Sequence, residues 1–297
     1  MKKEVKLDLS EGIKRLKILT AQIVNTSIVG GYKSVFKGRG LEFEDYRQYT
    51  PNDDASLIDW KASVRSKELF IREFVEERNL NVYFLIDVSS SMVYGSIDKL
   101  KMEYAGELAA ALSYVVLNAG DSVGFALFND KIVKNVPPII GPMQYHNLVT
   151  ALVNPNHYGG KYNLDEALKF ILAFLKQASI VIIISDFIGL KNDWERYIRV
   201  VSKKFDLIGI MVKDQNDKIL PDYNGQVLLE DPFSDRQILV RPETISEAYK
   251  AYALKQEEMV KSAFLDSGAD FIGLTTNESF VKPITNLFIK RERKIKG

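Results

Sequence analysis

Apolar residues recur along this chain in two rhythms. Near-continuous runs at Leu80 to Ile86, Asp121 to Phe128, Ile180 to Ile184, Phe205 to Val212 and Phe271 to Leu274 read as short strands buried on both faces, the pattern a parallel sheet requires. Between them the apolar positions shift to helical spacing. Leu100, Tyr104, Leu108, Leu112 and Val115 mark a long helix over Lys99 to Asn118. Further helices are predicted over Tyr145 to Val153, Asn163 to Gln177, Trp194 to Lys203, Glu243 to Leu265 and Ser279 to Lys290. Ile132 to Val136, beyond the Asn129-Asp130 turn, reads as a hairpin partner, and residues 213–241 as a turn-rich excursion. Strands alternating with helices predict an α/β fold: a doubly wound, mostly parallel sheet flanked by helices, with one antiparallel strand pair.

The first 78 residues follow another pattern. Residues 7–28 have helical periodicity with Ser10 as N-cap, and Gly30-Gly31 ends the run. Lys33 to Gly40 is basic and glycine-punctuated; Lys33, Lys37 and Arg39 read as a solvated loop, with an anion-binding patch as the functional alternative. Leu57 to Glu77 suits short strands and turns. The chain therefore divides into residues 1–78, a small α+β appendage, and residues 79–297, the main domain. Phe43, Tyr46, Tyr49 and Trp60 are expected to need burial, which would pack the appendage onto the sheet.

The central chemistry falls where the first buried run ends, at Asp87-Val88-Ser89-Ser90-Ser91-Met92. The carboxyl ends of strands line the ligand crevice of open α/β sheets. Asp87, Ser89 and Ser91 alternate, so an extended or tightly turned segment points three oxygens to one side, a donor set suited to a hard cation such as Mg²⁺. Asp186 ends a second buried run and faces the same crevice. A phosphoryl-transfer enzyme with Asp87 as nucleophile would want a carboxylate two residues later as general acid, where Ser89 stands. Gly159-Gly160-Lys161 lacks the remaining phosphate-loop residues, and no Gly-x-Ser-x-Gly elbow occurs. The acidic residues between Glu42 and Asp59 are spaced irregularly and read as surface and turn positions.

Composition narrows the partners. A net charge of +1 argues against recognition of nucleic acid or an anionic membrane by bulk charge, and the absence of cysteine removes disulfides and thiolate chemistry. With no signal-like N-terminus and no apolar run of bilayer length, a cytoplasmic protein is expected.

Asp87-Val88-Ser89-Ser90-Ser91-Met92, the long helix after it and Gly120-Asp121-Ser122-Val123-Gly124 resemble the von Willebrand factor A-like fold with its metal-ion-dependent adhesion site. Residues from Gly38-Arg39-Gly40 through Tyr46-Arg47-Gln48-Tyr49, Asp53-Asp54, Ile58-Asp59-Trp60-Lys61 and Arg65, then Leu220-Pro221-Asp222, resemble the bacterial family called domain of unknown function 58. The resemblance implies Asp87, Ser89, Ser91 and Asp186 as metal-site residues and Mg²⁺, or Mn²⁺ or Ca²⁺ in its place, as the ion. It also implies a non-enzymatic protein-interaction role, with a MoxR-type AAA+ ATPase as partner. The middle ligand of that site is a threonine in a Gly-x-Thr-Asp-Leu-like segment; here the segment is Gly160-Lys161-Tyr162-Asn163-Leu164. Tyr162 holds its hydroxyl farther from the backbone. That leaves three alternatives: an ion with fewer protein ligands plus water, a degenerate site in a structural domain, or a fixed charge supplied by Lys161. A metal-dependent phosphate-ester hydrolase in the same crevice is the enzymatic alternative.

Overall fold

A computed structural model describes residues 32, 42–50, 53–66, 68–75, 80–176, 178–191, 193–234 and 236–296. The predicted helix over residues 7–28 and the Lys33, Lys37 and Arg39 loop lie outside the described residues.

The main sheet has six strands: β3 (Asn81–Asp87), β4 (Ser122–Phe128), β5 (Ile132–Ile139), β6 (Ile180–Ser185), β7 (Asp206–Lys213) and β10 (Asp270–Thr275). Their order is β10-β7-β6-β3-β4-β5, parallel throughout except for the β4–β5 hairpin. The expected mostly parallel sheet with one antiparallel pair is therefore the observed one. After β3 the chain first builds outward through β4 and β5, then returns to place β6 on the other side of β3. In open α/β sheets such a reversal marks where ligands bind, here the carboxyl ends of β3 and β6.

Strand alternation sends successive side chains to opposite layers. Val82, Phe84 and Ile86 face one core with Ile180, Ile182, Ile184 and Ile208; Tyr83 and Leu85 face the other with Val181, Ile183 and Met211. The first layer is covered by α2 (Lys101–Asn118), α3 (Pro142–Val153) and α7 (Val281–Lys296), the second by α4 (Leu164–Phe174), α5 (Trp194–Lys204) and α6 (Pro242–Asp266). Helix α2 is buried almost all round because its run of Ala105, Gly106, Ala109, Ala110 and Ala111 lets it lie close to its neighbours.

Gly124 lets β4 and β5 approach. A Cβ there would lie 2.6 Å from the nitrogen of Pro138 and 2.8 Å from the Tyr83 ring, where the β4–β5 register shifts. Backbone cannot rotate aside as a side-chain tip can. Gly124→Ala is accordingly expected to cost about 1–3 kcal/mol, read as a lower urea midpoint at unchanged slope.

The sequence pattern missed a strand and a short helix in the N-terminal part and a hairpin after β7, while the second N-terminal strand falls in the stretch expected to hold short strands. The appendage holds an antiparallel pair, β1 (Glu42–Gln48) with β2 (Phe70–Val75), and a short helix, α1 (Trp60–Ser66), which Asp59 caps through the backbone N–H groups of Lys61 and Ala62. The excursion after β7 contains a hairpin, β8 (Val227–Glu230) with β9 (Gln237–Val240). Among the aromatic residues expected to be buried, Trp60 is 64% exposed and Tyr49 half-buried. Trp60 lies on the outward side of α1, because it is Asp59 and Ser63 that turn inward to hydrogen-bond the helix start and β2. The N-terminal part instead reaches the main core through Tyr32. That residue is 2% exposed, edge-on to Phe288, and its hydroxyl donates to Asp121 Oδ2 at 2.7 Å. Asp121 also accepts the backbone N–H of Leu80, so one carboxylate ties Tyr32 to the entry of β3.

Candidate functional site at the carboxyl edge of the sheet

Asp87 ends β3, and its parity matches Tyr83 and Leu85, so it points to the second layer. Its Oδ1 accepts the N–H of Ser89 at 2.8 Å, a local turn that brings Ser89 and Ser91 back over the strand end. The two serine hydroxyl oxygens lie 3.2 Å apart, each being the other's hydrogen-bond partner. The loop around Gly159 and Gly160 is stitched onto this turn. Gly159 N–H donates to Val88 O, Ser90 N–H to Gly160 O, and Asn129 Nδ2 to Gly159 O.

Asp87 Oδ2 accepts from Ser185 Oγ at 2.7 Å, a neighbour because Ile86 pairs with Ile184 one step earlier. Ser185 Oγ lies 3.2 Å from the Tyr162 hydroxyl and accepts the N–H of Phe187. Tyr162 is thus the back wall of the site: its ring packs among the second-layer residues against Phe128, and its hydroxyl contacts Ser185. Burial, reinforced by the charge of Asp87, pushes its phenol well above its ordinary value.

Asp186 has the opposite parity and turns towards α2. Its Oδ1 accepts the N–H of Ile188, and its Oδ2 takes a 2.7 Å ion pair with Lys101 Nζ. Lys101 also reaches Asp217 Oδ2 at 2.9 Å and lies 5.7 Å from the centre of the Tyr94 ring. Its charge is disfavoured by burial, but the adjoining Asp186 and Asp217 outweigh that and hold the ammonium above the ordinary lysine range. A fixed charge therefore stands at this edge on Lys101, against Asp186 and Asp217. Lys161 is exposed.

Asp87 is in the reverse situation. Burial, then the charge of Asp186, push its carboxyl up from 3.8 to about 7, hydrogen bonds from Ser185 and Ser89 opposing the rise only in part. No cation pairs with it among the described residues. Asp87, Ser89, Ser91 and Asp186 are thus brought to one edge of the sheet, each at most 2% exposed.

This donor set fits a hard divalent ion. It is all oxygen, with one carboxylate lacking a counter-charge. Metal–oxygen bonds of about 2.1 Å in octahedral array place adjacent ligands about 3.0 Å apart, close to the observed separation of the serine hydroxyls. Among the described residues no group of three or more histidine, cysteine, aspartate and glutamate side chains converges as a metal site, so the candidate set depends on hydroxyls.

Sequence reasoning missed Lys101 as the partner of Asp186, Asp217 as the second carboxylate on Lys101, and Asp214 behind them. The Asp214 carboxylate accepts from Ser96 N–H, Asn216 N–H and Thr276 Oγ1, pinning the loop after the serines to the ends of β7 and β10. The visible signal was Lys101 itself, a cation in the first turn of a long helix, where the helix dipole disfavours positive charge.

A doubly wound sheet with acidic and hydroxyl side chains gathered at its topological switch point defines the class. Residues 45–259 match the family model described as protein of unknown function DUF58, and the chain belongs to that family. It is 25% identical over 289 residues to an uncharacterised protein of Mycobacterium tuberculosis, covering 96% of this chain and 90% of that one. It is 31% identical to uncharacterised protein YeaD of Bacillus subtilis over 111 residues, 37% of this chain and 25% of YeaD. Among solved structures it is similar to BatB from Bacteroides thetaiotaomicron, with a TM-score of 0.48 and 16% identity over 72% of this chain and all of that one. A von Willebrand factor type A protein from Catenulispora acidiphila gives a TM-score of 0.43 and 12% identity over 73% of this chain and 44% of that one. Among the described residues no helix is long and apolar enough to cross a membrane.

Proposed function

We propose that this protein is a non-enzymatic interaction module whose crevice holds a divalent cation, Mg²⁺ in the first instance, to capture an acidic side chain of a partner protein. One observation carries the reading: Asp87, buried and without a cationic partner among the described residues, stands beside two serine hydroxyls at the spacing of adjacent metal ligands. Asp87, Ser89 and Ser91 would hold the ion, and Asp186 would stand behind it, oriented by Lys101 and Ile188 N–H. A bound ion of this kind supplies open positions for an external carboxylate. Tyr162 closes the side where the related sites carry a threonine, its hydroxyl directed to Ser185.

The absence of a general acid beside Asp87 supports a binding role over hydrolysis of phosphate esters, since Ser89 stands where that acid would be needed. The implied partner is a MoxR-type AAA+ ATPase. Asp87→Ala is expected to abolish Mg²⁺ binding in calorimetry and, in pull-downs, to release any partner retained by the wild type with Mg²⁺ and lost in EDTA. Unchanged ion affinity in the variant would overturn the reading.

A further inference from the structure

In the proposed function Lys101 ligates no ion and serves only as the partner that orients Asp186. It is 1% exposed, at the start of an 18-residue helix whose dipole opposes a cation there. Burying an ammonium is costly unless it is paired, and here two carboxylates and an aromatic face enclose it. Lys213, buried at the end of β7, makes no ion pair among the described residues and acts on Asp186 only through its charge, so the direct contact with Asp186 is that of Lys101.

The consequence is a matter of charge. Asp186 already shares the Lys101 ammonium, 2.7 Å away, with Asp217, so an ion beside Asp87 meets one uncompensated carboxylate and one whose charge is partly offset. A divalent ion held this way retains about one net positive charge, in a buried setting where screening is weak. We propose that Lys101 is the affinity-determining residue of the crevice, an internal competitor for Asp186 that keeps a free divalent ion weakly held and leaves it attractive to an external carboxylate. The inference rests on the reading of Asp87, Ser89 and Ser91 as the ion's ligands.

Calorimetric titration of Mg²⁺ and Mn²⁺ into the wild type, Lys101→Gln and Lys101→Met tests it. Lys101→Gln keeps one hydrogen bond to the carboxylates and is the variant better able to fold. Loss of the ammonium is expected to tighten ion binding about tenfold or more, because a like charge has been removed from a poorly screened site. The gain should vanish when Asp87→Ala is added. Should a variant be unfolded in EDTA, recovery of its folded circular-dichroism signal at an ion concentration that leaves the wild type unchanged counts as the same gain.

Ion binding no tighter than wild type in the folded variants, or no recovery with ion in unfolded ones, overturns the role of Lys101. The adhesion-site reading fails on a separate comparison, wild type against Asp87→Ala alone. If the wild type binds no ion and Lys101→Gln does, Lys101 stands as the competitor and the adhesion reading falls.

Discussion

Asp87→Asn is expected to make the folded protein more stable at neutral pH, and to flatten a decline in stability that the wild type shows between about pH 4 and 7. The carboxyl of Asp87 is held up at about 7, against an ordinary value of 3.8, by burial and by the charge of Asp186. Below the ordinary value the residue is protonated in both states and contributes no pH dependence. Between the two values the unfolded chain releases the proton and the folded chain retains it, so stability falls as pH rises. Above about 7 the loss is complete.

At roughly 1.4 kcal/mol per unit of displacement the loss is about 2–4 kcal/mol. Asparagine cannot ionise and keeps the geometry: its carbonyl accepts the Ser89 N–H, and its amide donates to Ser185 Oγ. Urea midpoints at pH 4.5, 6 and 7.5 in the absence of divalent ions measure the effect. A variant with the same slope as the wild type would show that Asp87 ionises freely in the fold. Asp165 is also shifted upward, by burial, but it titrates in both proteins, so the difference between the two curves isolates Asp87. A residue whose removal stabilises the chain and whose presence completes a donor set is the kind of local cost that functional sites carry.

The balance between legible and illegible parts follows from range. Buried strands announce themselves through unbroken apolar runs, and Asp87, Ser89 and Ser91 were legible because a polar alternation interrupts such a run at its carboxyl end. Asp186 was legible for the same reason. What these residues touch was not. Lys101 meets Asp186 across 85 positions and Asp217 across 116, contacts set by how α2 seats against the sheet rather than by any local pattern.

Tyr162 shows the same limit. Its replacement of threonine was visible, but its burial against Phe128 and its contact with Ser185 depend on α4 packing over β3 and β6. In the appendage the propensity signal itself was weak. Trp60 heads a seven-residue helix whose start is fixed by Asp59, and so short a segment has too few positions to show a period. Arg47 and Asp53, conspicuous as charges in the sequence, pair with each other on the surface at 2.8 Å.

Phe264→Ala is expected to lower unfolding stability by about 3–5 kcal/mol and to loosen Asp186 at the same time. Phe264 on α6 is fully buried, 5.7 Å from the Phe187 ring and 5.5 Å from Phe271. It lies directly on the backbone of β7, because Gly209 has no side chain; a Cβ there would be 2.6 Å from the ring. Phe187 immediately follows Asp186 and has a φ of 55°, in the left-handed region that bulky residues avoid. Such a conformation costs of order 1–3 kcal/mol and persists only when its surroundings hold it.

Here the hold is the aromatic cluster. The N–H of Phe187 donates to Ser185 Oγ and that of Ile188 to Asp186 Oδ1, so the conformation of this one residue orients both side chains at the crevice. Removing the Phe264 ring leaves a cavity that β7 and α6 only partly close, and frees Phe187 to relax. Chemical denaturation reads the first effect. Hydrogen exchange at the amides of Phe187 and Ile188 reads the second, with protection expected to fall further there than at β4, which lies on the far side of β3. A loss below about 1 kcal/mol with unchanged exchange at those two amides would mean that the loop is held by its own hydrogen bonds, independently of the aromatic cluster.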